Sequence, residues 1–203
     1  MVVAGPSGVG KTVLIRGALE RSARWMFSVS ATTRARREGE REGQDYYFLS
    51  EVEFFRRVAI GGFLEYAEVY GRYYGTPVSE LERAALQDRH LLIEVDTVGC
   101  LSIRALRPDI PLVAIVPPSL EELKRRLRDR GTETDESLAM RYGNIVAELQ
   151  RMRGFDFVIV NDDLKTAQDQ LLVLMEIVQS GLMLVRPQVD ALLSNAFGGK
   201  NAK

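Results

Sequence analysis

Short apolar runs alternate along the chain with longer amphipathic stretches. Met1 to Ala4, Leu91 to Asp96, Leu112 to Val116 and Phe157 to Val160 have strand length and are almost wholly apolar. Trp25 to Ser30 is a further strand-length run, aromatic and β-branched in character. Between them lie stretches with helical spacing: Thr12 to Glu20, a stretch ending near Ile60, another ending near Gln87, Leu120 to Arg128, about Glu136 to Arg153, and Leu164 to Ser180. Three of these open on a serine followed three residues later by glutamate, namely Ser50 with Glu53, Ser79 with Glu82 and Ser119 with Glu122, the pattern of a capping box. Gly61-Gly62 closes the first of them. Phe63 to Val69 predicts a short strand with alternating carboxylates, and Gly71 to Gly75 a tyrosine- and glycine-rich turn. Apolar strands separated by helices predict an α/β fold with a parallel sheet covered on both faces. Ala31 to Gln44 is polar and basic and predicts an exposed loop. Past Gly181, Val189 to Phe197 predicts one short amphipathic helix, and Gly198 to Lys203 a frayed end.

Composition narrows the function classes. A chain of 203 residues suits one domain with a real core. Its net charge of −1 offers no overall field for nucleic acid or an anionic membrane. The single cysteine, Cys100, allows no intrachain disulfide, and with the single histidine, His90, it leaves no material for a Cys/His metal cluster. Both are expected to be structural. No apolar run approaches membrane-spanning length, and no leader is expected so close to Gly5. A soluble, cytoplasmic setting is the expectation.

The densest chemistry is Gly5-Pro6-Ser7-Gly8-Val9-Gly10-Lys11-Thr12, which fits G-x-x-x-x-G-K-[ST] at every fixed position. An apolar run precedes it and a helical stretch follows, as a strand, phosphate loop and helix require. The glycines let backbone N–H groups turn inward toward an anion at the positive end of the helix dipole. Lys11 is placed to reach the β- and γ-phosphates of a nucleoside triphosphate, and the Thr12 hydroxyl to ligate Mg²⁺. Asp96, the acid ending an apolar strand, suits orientation of that Mg²⁺ directly or through water. The bland alternative for it is capping of a helix at Thr97.

Further motifs follow in a particular order: Ser30-Ala31-Thr32-Thr33-Arg34-Ala35-Arg36-Arg37, Asp45-Tyr46, Phe63-Leu64-Glu65, Gly71-Arg72-Tyr73-Tyr74-Gly75-Thr76-Pro77, Asp96, Arg130-Gly131-Thr132-Glu133-Thr134, and Val158-Ile159-Val160-Asn161-Asp162-Asp163. In order and spacing they resemble guanylate kinase, a P-loop nucleoside monophosphate kinase, over about Val2 to Ile177. The resemblance implies a parallel core sheet flanked by helices, a nucleotide-binding lobe at about 32–86 and a lid at about 124–136. The domain would then span 1–180, with 181–203 as a C-terminal extension.

The residue chemistry agrees. A guanine edge offers one acceptor beside two donor groups, so its complement is a carboxylate next to a hydroxyl. Glu65 and Thr76 are suitable, and the resemblance gives them that task, with Ser30 and Asp96 completing the base pocket. Adenine would present an acceptor to Glu65 and leave a buried carboxylate unpaired. For the acceptor's phosphate, the resemblance implies Arg34 and Arg37, assisted by Tyr46 and Tyr74. On the donor side it implies lid arginines Arg126 and Arg130, joined by Arg141 on the next helix, and Asn161 near the adenine. Pointed at a transferring phosphoryl group, such cations act as arginine fingers do. The attacking phosphate oxygen is already ionised, so no base is needed and catalysis is positioning plus charge neutralisation.

Four positions depart from the family pattern: Arg36 stands where proline is usual, Thr97-Val98 where an apolar residue and glutamine are usual, and Tyr142 where leucine is common. None is a residue assigned to chemistry. The expectation is an ATP-dependent enzyme converting GMP or dGMP to the diphosphate, with Mg²⁺, without nucleic-acid or membrane partners, as a monomer or homodimer. The alternatives are a non-catalytic guanylate-kinase-like binding module and a related kinase acting on a sugar phosphate.

Overall fold

The computed structural model describes residues 1–69, 71–128 and 135–181, and for 135–142 the backbone alone. The core is a parallel sheet built from β1 (Val2–Ala4), β2 (Trp25–Phe27), β7 (His90–Glu94), β8 (Leu112–Val116) and β9 (Phe157–Val160), in the order β2-β7-β1-β8-β9. Each pairing is parallel. β1, only three residues long, lies in the middle with every residue buried.

Alternation along the strands supplies two cores. Val3, Leu92, Val113 and Ile115 face one side, where α1 (Lys11–Leu19) and α7 (Leu164–Gln179) bring Leu14, Ile15, Ala18, Leu171 and Met175. Val2, Ala4, Ile93, Leu112 and Ala114 face the other, where α3 (Ser79–Leu86) and α4 (Thr97–Leu106) bring Ala84, Cys100 and Ile103. Period-two alternation on strands buried on both faces makes the runs read as continuously apolar. Each fully buried Leu or Ile contributes about 1.5–3 kcal/mol relative to exposure.

A second sheet of four strands, order β4-β3-β6-β5, stands apart from the first. It comprises β3 (Ala31–Thr32), β4 (Tyr47–Phe48), β5 (Phe63–Val69) and β6 (Arg72–Pro77). β5 and β6 form an antiparallel hairpin turned at Gly71, whose φ of 71° is left-handed. α2 (Glu51–Ala59) covers this sheet by its one fully buried residue, Phe54, which stacks on Phe63 at 4.5 Å between centroids.

Several sequence expectations change. Ala31 and Thr32, expected in an exposed loop, are buried strand residues. The expected turn at Gly71 to Gly75 is mostly strand, because Tyr73 and Tyr74 pair with Glu68 and Ala67. Ser50 and Ser119 cap their helices through the N–H groups of Glu53 and Glu122, each at 3.1 Å. Ser79 does not: α3 starts from Val78, in helical conformation, so Ser79 already sits inside the helix. The expected helix at 189–197 and frayed end at 198–203 lie outside the described residues.

Candidate active site

The chain leaves β1 into the glycine loop at Gly5, where a Cβ would lie 2.3 Å from the carbonyl oxygen of Ile115. Only glycine passes so close to β8. Gly8 and Gly10 take φ of 87° and 92°, and Gly10 begins α1 without a capping side chain. The first N–H groups of α1 are therefore left to face an anion. Val9 is fully buried and pins the loop to the core. Lys11 Nζ donates to the carbonyls of Gly5 at 2.6 Å and Pro6 at 3.3 Å, and lies 4.0 Å from Glu94 Oε1. Thr12, the second residue of α1, is exposed.

Asn161 sits beneath this loop. Its side-chain amide, buried to 5% exposure, donates to Val9 O at 2.7 Å. Arg126 of α5 (Leu120–Arg128) donates to the backbone carbonyl of Asn161 at 2.9 Å and to Glu122 Oε1 at 2.7 Å. Arg126 is thus anchored beside the phosphate loop. Arg130 lies outside the described residues; Arg141 is on α6 (Asp135–Arg151), its side chain likewise outside them.

On the far side of β7, Ser30, Tyr46, Glu65, Tyr74, Glu94 and Asp96 line a cavity of about 210 Å³ between the two sheets. Thr76 is fully buried, and its hydroxyl donates to Glu65 Oε1 at 2.7 Å. Burial pushes the Glu65 carboxyl above its usual range, against the Thr76 hydrogen bond, and Asp96 pushes it the same way. Gly99 gives Glu65 room, since a Cβ there would stand 3.0 Å from Oε2. Asp96 Oδ1 accepts from Gly99 N–H at 2.7 Å and caps α4. The capping expectation for Asp96 therefore holds alongside its place in the cavity wall.

At the cavity's outer end, Arg34 holds both oxygens of Glu40, at 2.9 and 2.7 Å. Its guanidinium lies over the rings of Tyr46 at 5.3 Å and Phe48 at 5.7 Å. Arg34 holds the Glu40 carboxyl down at about 2, helped by the Arg37 N–H, which donates at 2.7 Å. The Arg37 side chain is exposed. Tyr46 meets Tyr74 edge-on at 6.1 Å.

Sequence reasoning missed three carboxylates here. Glu40 was part of a charge run, yet it organises Arg34 and the Arg37 backbone. Glu94, the last residue of β7, stands between Lys11 and the cavity, and burial pushes its carboxyl up while Lys11 pulls it down. Glu148 of α6 is half-buried and pushed up by burial, with Lys11 and Asp96 acting on it in opposite senses. Among the described residues no group of three or more His, Cys, Asp or Glu side chains could hold a metal by itself. Thr12, Asp96 and Glu94 offer hard oxygen donors, which fit a Mg²⁺ that also takes phosphate oxygens and water.

A guanylate kinase family model matches residues 1–178. The chain is 44% identical to a guanylate kinase of Symbiobacterium thermophilum over 171 residues, 84% of this chain and 81% of that one. It is 38% identical to one of Clostridium perfringens over 200 residues, 98% of this chain and 89% of the relative. The crystal structure of guanylate kinase from Anaplasma phagocytophilum superposes with a TM-score of 0.69 at 31% identity, covering 88% of this chain and 84% of that one. Agreement of this extent, over a P-loop core and a second lobe alike, means that the chain belongs to the guanylate kinase family.

Proposed function

We propose how these residues divide the work of an ATP-dependent guanylate kinase, the activity that family membership carries. The reaction moves the γ-phosphoryl group of ATP onto the phosphate of GMP or dGMP, giving ADP and the diphosphate. In this reading Gly5 to Thr12 cradle the donor phosphates, and Lys11 leaves the loop carbonyls for the β- and γ-oxygens. Mg²⁺ would be held by the Thr12 hydroxyl and, through water, by Asp96 and Glu94; it supplies neutralisation of the triphosphate charge. Arg126, Arg130 and Arg141 stabilise charge on the transferring group. The lobe at 32–86 and the lid at 124–136 close over acceptor and donor respectively.

The observation that carries the acceptor reading is the Glu65–Thr76 pair at the wall of a cavity of about 210 Å³. Glu65 accepts from guanine N1–H and the 2-amino group; Thr76, its hydroxyl turned away from Glu65, donates to O6; Ser30 and Asp96 border the base. Arg34, Arg37, Tyr46 and Tyr74 take the acceptor phosphate, with Glu40 ceding Arg34 to the more highly charged anion. Asn161 supports the loop from below and borders the donor nucleotide. A coupled assay with GMP, AMP, UMP and CMP tests the proposal. Turnover should be confined to GMP and its deoxy form; equal turnover of all four, or of none, defeats it.

A further inference from the structure

Glu80 is buried to 0% exposure where the two sheets meet. Its Oε2 accepts from Val29 N–H and from Arg83 Nη2, each at 2.6 Å. Its Oε1 accepts from the Tyr47 hydroxyl and from Arg83 Nε, each at 2.9 Å. Arg83 also donates to the carbonyl of Phe27 at 2.8 Å, at the end of β2. Leu81 and Ala84 of the same helix pack into the core beneath the parallel sheet. Glu80 therefore belongs to the core, and its bond to Tyr47 crosses into the second sheet.

The neighbours of its partners matter. Val29 directly precedes Ser30, and Tyr47 directly follows Tyr46; both Ser30 and Tyr46 line the acceptor cavity. Tyr47 N–H also donates to Ser30 O at 2.9 Å. Successive side chains in extended chain point to opposite faces. Tyr46 immediately precedes β4, so the face that holds Glu80 through Tyr47 is opposite to the one that turns Tyr46 to the cavity. Arg83 alone already satisfies both carboxylate oxygens, so the Tyr47 hydroxyl is not needed to neutralise a buried charge. What it adds is location.

We propose that Glu80, acting through Tyr47 and Val29, is a positioning residue for the acceptor nucleotide: it fixes Ser30 and Tyr46 to the core and preforms the cavity. This rests on reading that cavity as the GMP site. Preformation removes ordering costs from binding, so its loss weakens the acceptor and spares the donor.

The test is Tyr47→Phe, which keeps the ring and removes the hydroxyl, with GMP varied at saturating ATP and the reverse. The KM for GMP should rise about fivefold to tenfold, the net scale of one ordinary hydrogen bond, with the KM for ATP held and the unfolding midpoint within a few degrees. Glu80→Gln should shift GMP the same way, and the double variant should be no worse than Glu80→Gln, since the Tyr47 hydroxyl acts only through Glu80. A KM for GMP that does not move, a rise shared equally by ATP, or additive penalties overturn the inference. Absence of GMP-dependent turnover in the unsubstituted protein overturns the reading of the cavity and the inference with it. Normal turnover with an unselective Tyr47→Phe overturns the inference alone.

Discussion

Thr76 gives its hydroxyl proton to Glu65 across the β5–β6 ladder, where the two are direct register partners 2.7 Å apart at their oxygens. One oxygen of the carboxylate is thereby oriented before any ligand arrives, and the hairpin itself sets the distance between the acid and the hydroxyl proposed to read a guanine edge.

Removing the charge tests the acid. Glu65→Gln keeps the shape and replaces an acceptor oxygen with an NH₂ that opposes the guanine donors. We expect kcat/KM for GMP to fall about 100-fold, the scale of one or two hydrogen bonds to a charged group, while MgATP binding by calorimetry is unchanged. The pH profile gives a second readout. Burial raises the folded-state pKa of Glu65, so the KM for GMP should climb on acidification at a higher pH than an ordinary glutamate would produce, and be flat above it. The sign for stability is opposite to that of a salt-bridged acid. The folded protein takes up this proton more readily than the unfolded chain, so the contribution is present below the unfolded pKa and lost as pH rises through the folded one. An acid limb that survives in Glu65→Gln would assign the titration elsewhere.

Glu94 stands 4.0 Å from the Lys11 ammonium and also borders the acceptor cavity. If it holds water around Mg²⁺, Glu94→Gln should raise the Mg²⁺ concentration for half-maximal rate about tenfold, in line with supporting residues at metal sites. The KM for GMP should change little. A Mg²⁺ dependence that matches the unsubstituted protein would leave Glu94 as a partner of Lys11 only.

Gly5 and Gly39 make a matched pair for the backbone. A Cβ at Gly5 would meet a strand carbonyl at 2.3 Å, whereas at Gly39, with φ of 84°, nothing lies within 4 Å. Gly39→Ala should cost about 1–2 kcal/mol, the left-handed penalty alone. Gly5→Ala should cost about 3 kcal/mol, at the upper end for overpacking, and should abolish ATP binding. Denaturant unfolding of the two variants separates the effects.

Much of this was legible in the chain. β8, β9, α5 and the Ser50 and Ser119 caps match the sequence reading because period, apolar runs and capping residues act within a few positions. β3 and β4 were not legible. Each is two residues long, too short to show a period, and each exists only by pairing with a distant partner. β6 read as a turn because Gly71, Gly75 and the tyrosines imitate one; the pairing with β5 decides otherwise. In the site, the phosphate loop and Glu65 were legible from residue type and order. Glu40, Glu80 and Glu94 were not, since a glutamate declares itself only through what stands beside it, and Glu80 meets Val29 and Tyr47 across long stretches of chain.

The second sheet hydrogen-bonds within itself and is spliced into the parallel one between β2 and β7. In the proposed reading most acceptor contacts, Arg34 to Thr76, fall in one continuous passage of the chain, whereas Ser30, Glu80 and Asp96 stay with the parallel core and border or brace the same cavity. Exchange of the passage from β3 to β6 would leave the triphosphate loop untouched, but a new acceptor would still have to suit those three core residues.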